Sequence, residues 1–115
     1  MSHLPLTYLA PDIAVAPFLQ PEQMADIAAQ GFRSVINNRT AEELGAVQQA
    51  LRDAASRAGL SYEWQPVNPA AISPQDVAQF AQLLQSLPRP ILAFCRSGSR
   101  STILFQAAMR ERGAS

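Results

Sequence analysis

Cysteine occurs once in the 115 residues, at Cys95, and histidine once, at His3. One thiol cannot close an internal disulfide, which points to a reducing, cytoplasmic setting. One histidine and one cysteine far apart in sequence do not make a metal site, so neither a metal nor an organic cofactor is expected. His3 reads as a surface residue. Charged residues make up only 16%, their net charge is zero, and they form no long runs. That balance excludes the usual signatures of nucleic-acid and anionic-membrane binding. No apolar run approaches the roughly 20 residues of a membrane span. The opening Met1-Ser2-His3-Leu4-Pro5 lacks a charged region followed by an apolar one, so no signal peptide is expected. There is no internal repeat and no low-complexity tract, although alanine and glutamine are abundant. What is present is 48% hydrophobic, a globular composition. A single domain over residues 1–115, ordered from about 6 to 112, is the expectation.

Apolar runs at 6–9 and 13–16, split by Pro11-Asp12, suggest a small hairpin or two edge strands. Pro21 suits the first position of a helix that ends at Gly31, with Met24, Ile27 and Ala28 on one face. A strand over 32–37 follows and ends in Asn37-Asn38-Arg39. Thr40 with Glu43 matches a capping box, opening a long helix to about Ala58 with Leu44, Val47 and Leu51 on its apolar stripe. Residues 60–67 read as a strand, with Tyr62 and Trp64 on one face and Glu63 and Gln65 on the other. Ser73-Pro74-Gln75-Asp76 caps a helix to about Ser86 that buries Val77, Phe80, Leu83 and Leu84. Residues 91–94 are apolar throughout, as in a central parallel strand. The last helix is expected from Ser101 to about Arg112, with Ile103, Leu104, Ala107 and Ala108 in the core. Alternating strands and helices predict a single α/β domain with a mainly parallel sheet of four to five strands. In such sheets ligands gather beyond the C-terminal strand ends. There Asn37-Asn38-Arg39, Pro66-Val67-Asn68 and the segment after Phe94 would meet.

That last segment is Cys95-Arg96-Ser97-Gly98-Ser99-Arg100-Ser101. A lone cysteine at a strand end is usually an inert small hydrophobe. Packing alone, however, does not require Arg96, Gly98 and Arg100 within one turn. Two guanidiniums need an anionic partner when buried, and Gly98 supplies the φ freedom of a loop wrapped round an anion. Cys95 beside a helix N-terminus and cations is therefore expected to be ionised at neutral pH. Arg100 is expected to grip an oxyanion through a bidentate pair. Ser97, Ser99 and Ser101 are candidate hydrogen-bond donors, with Ser101 equally readable as a helix N-cap. Asn38, Arg39 and Asn68 could reach the site from neighbouring strand ends. Asn37 and Asn38 are equally readable as a turn, with Arg39 solvated.

The stretch Phe94 to Ser101 resembles the active loop of rhodanese-type sulfurtransferases and, less closely, of cysteine-dependent phosphatases. Together with residues 32–39, Pro66-Val67 and the helix opening at Ser73, it is similar to the phosphatase-like domain of beta-lactamase-hydrolase-like proteins, also described as a sulfurtransferase family. The resemblance runs from about residue 6 to 112. It implies a dual-specificity-phosphatase-like α/β fold and a catalytic pair of Cys95 and Arg100. Some members carry this domain fused to a persulfide dioxygenase. Here any such partner would be a separate protein.

Two features favour sulfur over phosphorus. Only four residues separate Cys95 from Arg100, where cysteine phosphatases resemble one another in having five. A shorter loop suggests a smaller cradle. Phosphoryl transfer also wants a general acid, and the position after Pro66-Val67 is Asn68, while Asp76 is explained by capping. The expected function is thus a sulfurtransferase, passing sulfane sulfur from thiosulfate or a small persulfide through a Cys95 persulfide to a thiol or cyanide. The alternatives are a cysteine-dependent phosphatase acting on a phosphate-like oxyanion, and a non-catalytic anion or persulfide carrier.

Overall fold

The computed structural model describes residues 4–113, so His3 lies outside the described residues. Five strands form one sheet: β1 (Thr7–Ala10), β2 (Ile13–Ala16), β3 (Ser34–Asn37), β4 (Ser61–Trp64) and β5 (Ile91–Phe94), in the spatial order β1-β2-β5-β3-β4. β1 is the single antiparallel strand, turned back at Pro11-Asp12, with Thr7 opposite Val15. β2 is not an edge strand, because it pairs in parallel with β5 on its other side. The sheet is thus α/β and mainly parallel, as the alternation of elements predicts.

Side-chain alternation along β5 divides the core. Leu92 and Phe94 face one layer, Ile91 and Ala93 the other, and all four are fully buried. The first layer holds α1 (Met24–Ala29), α2 (Ala41–Leu44) and α3 (Val47–Arg57), which contribute Met24, Ile27, Leu44, Leu51 and Ala55. The second holds α4 (Pro74–Ser86) and α5 (Ser99–Gly113), which contribute Val77, Phe80, Leu84, Leu104 and Ala108. Each fully buried leucine or isoleucine stabilises the fold by about 1.5–3 kcal/mol, so both faces of the sheet are anchored.

Four sequence expectations change. The long helix after Thr40 is broken: Gly45 takes φ 53°, and a bend separates α2 from α3. The capping box itself forms, with the Glu43 N–H donating to Thr40 Oγ1 and the Thr40 N–H donating to Glu43 Oε1. The last helix starts at Ser99, two residues before the predicted Ser101, because the Thr102 N–H already reaches the Gly98 carbonyl at 3.1 Å. Ile103 is 49% exposed rather than in the core, since Leu104 and Ala108 take the inward face. Gln65 is buried, unlike its strand-mate Glu63, because its amide donates to the Asp76 carbonyl at the start of α4.

This topology brings three C-terminal strand ends together. Phe94 lies level with both Ala16 and Asn37. The next residue, Cys95, donates its N–H to the Ala16 carbonyl, and the Asn38 N–H donates to the Phe94 carbonyl at 2.8 Å.

Candidate active site

Cys95 is buried where β5 ends, and the chain turns back over it within four residues to enter α5. Gly98 makes the turn possible. Its φ of 91° lies in the left-handed region, and its N–H donates to Cys95 Sγ at 3.1 Å. A Cβ at this position would stand 3.5 Å from the Ala16 carbonyl carbon, so conformation rather than crowding demands glycine. Burial pushes the Cys95 thiol up. The N–H groups of Ser101, Ser97 and Gly98, with the Ser101 hydroxyl, pull it further down, leaving its pKa below the ordinary cysteine value. The Ser101 hydroxyl has one proton and two acceptors, since it also reaches Asn38 Oδ1 at 2.8 Å. The backbone amides therefore carry the steady part of the thiolate's stabilisation.

Arg100 enters α5 with its side chain 5% exposed. Its end-on fork is already occupied: Nη1 donates to Glu43 Oε1 at 2.9 Å and Nη2 to Glu43 Oε2 at 3.1 Å. Nη1 also reaches the carbonyls of Asn38 at 2.8 Å and Val67 at 3.0 Å. Of five guanidinium hydrogens, those on Nε and on the adjoining side of Nη2 have no partner, and Nε is buried. The bidentate grip expected of Arg100 is thus available only side-on, through Nε and Nη2. Glu43 sets that orientation. The Arg100 hydrogen bond is the main reason its carboxyl is held down to about 2; desolvation works against it and the Thr40 N–H adds to it.

A cavity of about 150 Å³ opens over this arrangement, lined by Cys95, Arg100, Ser97, Ser99, Pro69 and Ile72. The space, open on one side, has room for a tetrahedral oxyanion as well as for a single sulfur atom. No carboxylate lines it among the described residues. Asp76 is engaged in its cap, accepting from the Ser73 N–H at 2.9 Å.

The remaining candidates separate into two groups. Ser97 and Ser99 stand on the exposed rim with their hydroxyls 2.6 Å apart, and Arg96 is exposed beside them. Asn38 is fully buried and its amide is engaged on both sides, donating to the Gln65 carbonyl and accepting from Ser101. It braces Arg100 and Ser101 and does not line the cavity. Arg39 lies 4.0 Å over the Phe18 ring, and its Nε is 3.9 Å from Glu43, outside the cavity lining. Asn68 is exposed and accepts from the Ala70 N–H, closing a turn, while its neighbours Pro69 and Ile72 form the cavity wall. Sequence reasoning missed Glu43, which was absorbed by its capping box. The signal was its place within a few residues of Asn38-Arg39, at a strand end predicted to face the cysteine loop.

The profile of the beta-lactamase hydrolase-like protein, phosphatase-like domain, matches residues 5–111. The chain belongs to this family. The beta-lactamase hydrolase-like protein of Agrobacterium fabrum is 35% identical over 81 residues, covering 69% of this chain and 19% of that protein. The matched region spans about a fifth of that relative's length. A candidate phosphatase from Neisseria meningitidis superposes with a TM-score of 0.80 at 27% identity, covering 90% of this chain and 75% of the other. Kinase associated phosphatase shares the fold alone, with a TM-score of 0.64 at 13% identity over 75% of this chain and 57% of the other. The chain is therefore an α/β unit with a dual-specificity-phosphatase-like fold, with Cys95 at the C-terminal end of its central strand.

Proposed function

We propose that the domain is a cysteine-dependent hydrolase of small phosphate monoesters. The observation that carries this reading is the Cys95 thiolate, ringed by backbone N–H groups and facing a cavity also lined by Arg100. Cys95 Sγ attacks phosphorus, an S–P bond forms, and the ester P–O bond breaks with its electron pair on the departing oxygen. Water then cleaves the S–P bond, releasing inorganic phosphate and restoring the thiolate. Arg100, through Nε and Nη2, and the loop amides hold the equatorial oxygens as charge develops there. With no acid lining the cavity among the described residues, the departing oxygen leaves as its own anion, which favours esters of acidic alcohols. The family and the likeness to the Neisseria protein support this chemistry over the sulfur transfer expected from the loop length.

One observation favours a second reading. The cavity, without a carboxylate among the described residues, suits sulfane transfer, whose leaving group is already an anion, and a thiol acceptor or a persulfide dioxygenase would then be the partner. Either chemistry uses a thiolate and suits a reducing, cytoplasmic compartment. Among the described residues no helix is long and apolar enough to cross a membrane. The test pairs two assays, phosphate release from an aryl phosphate and thiocyanate release from thiosulfate and cyanide, each repeated with Cys95→Ser. Phosphate release that vanishes in the variant supports the hydrolase. Thiocyanate release without phosphate release overturns it.

A further inference from the structure

A second concavity adjoins the cysteine cavity. It is a groove of about 440 Å³ lined by Thr7, Leu9, Val15, Pro17, Thr102 and Ile103, and by the outer face of the cysteine loop. The sheet's alternation explains it. Leu9 and Val15 point to the same layer as α4 and α5, but β1 is the edge strand, and the groove lies between it and the first turns of α5. Ser97, Ser99 and Ile103 line both cavities, so the two meet along one rim. Ser99 and Ile103 are four residues apart on α5 and therefore share a face, with the isoleucine leaning back towards the loop. That accounts for a large apolar side chain left 49% exposed at the rim shared by the two cavities. Among the described residues, none that lines the groove is charged.

We infer that this groove is the subsite for the organic part of the substrate, that it takes an uncharged apolar group, and that Ile103 sets this preference. The inference rests on the anion-binding reading of the Cys95 cavity. The anion would sit against Cys95 and Arg100, and its substituent would cross the Ser97–Ser99 rim into contact with Ile103, Leu9 and Val15. A volume within the usual 300–1,000 Å³ of ligand pockets admits a bicyclic aromatic or a short branched chain. The absence of charge in the lining disfavours nucleotides and phosphopeptides with charged flanks.

Binding of two non-hydrolysable anions to the Cys95→Ser protein tests this, because no turnover is needed. By calorimetry, 1-naphthylmethylphosphonate is expected to bind at least tenfold more tightly than methylphosphonate. In the additional presence of Ile103→Ala the ratio of the two affinities is expected to collapse towards one, and Ile103→Leu is expected to retain it. Amide shifts at Leu9 and Thr102 should appear with the naphthyl ligand only. Equal affinities for the two anions, or a ratio that Ile103→Ala leaves unchanged, would overturn the subsite and leave the anion cradle standing. Failure of both anions to bind would overturn the cradle and the subsite together.

Discussion

Glu43 and Arg100 act as one device. Nearly buried, Arg100 needs a counter-charge, and Glu43 supplies it while turning the open Nε–Nη2 edge free. Glu43→Gln keeps the shape and removes the charge. Hydrogen bonds to charged groups contribute about 1.5–3 kcal/mol, so denaturant unfolding should show a loss of that order, and kcat/KM should fall more than tenfold. Arg100→Lys should not rescue function, because an ammonium offers no planar pair of donors. Cys95 allows a direct check of its ionisation. The rate of alkylation by iodoacetamide against pH should have its midpoint below the roughly 8.5 of a free cysteine, and Ser101→Ala should move it upward only in part. This scale was the most legible in sequence. Cys95, Arg100 and Gly98 stand out because their residue types are costly without a purpose. Glu43 did not, since a capping box is explanation enough for a glutamate at that spacing. Nor could the sequence show that Asn38 turns inward to brace the loop, because an asparagine at a strand end is as often a turn residue.

At the scale of elements, the cysteine loop works because β5 stops one residue before Cys95 and α5 begins four residues after it. Gly98 is the pivot. Gly98→Ala requires an L-residue at φ 91°, at a cost of about 1–2 kcal/mol. With only ordinary contacts around the new methyl, the protein should still fold, a few degrees less stable by thermal melt. Its loop amides would turn away from Cys95, and kcat/KM should fall at least tenfold. The helix caps at Thr40 and Ser73 were readable from spacing, and each matches the hydrogen bonds seen. The break at Gly45 was not, because a glycine inside an amphipathic pattern is tolerated in many helices and only its positive φ reveals the stop. The two-residue shift of the α5 start was hidden for a related reason. Ser99 and Ser101 are both acceptable near a helix start, and the choice falls to Gly98, whose carbonyl receives both the N–H and the hydroxyl of Thr102.

For the whole molecule, the strand order places the catalytic candidates, and the pH response follows from their linkage. Glu43 has a folded pKa of about 2 against an ordinary 4.5. Its stabilising contribution is fully present above about pH 4.5 and is lost as pH falls towards 2. Thermal melts should therefore decline through that window, and Glu43→Gln should flatten the decline. The sheet was legible as an alternation of apolar runs with capped helices, and its parallel character followed from the uniformly apolar residues 91–94. What sequence could not supply was the neighbour relation of β2 and β5, which are separated by most of the chain and paired in parallel. That pairing sets Pro17 and Gly98 side by side and so creates the groove next to the cysteine cavity. The central claim is phosphoryl transfer through Cys95, and rapid-quench intact mass during turnover of an aryl phosphate tests it most directly. A transient gain of one phosphoryl group on the wild-type chain, absent in Cys95→Ser and matched by phosphate release, is the expected result. A chain that stays unmodified with the phosphate ester but gains one sulfur atom from thiosulfate would contradict it.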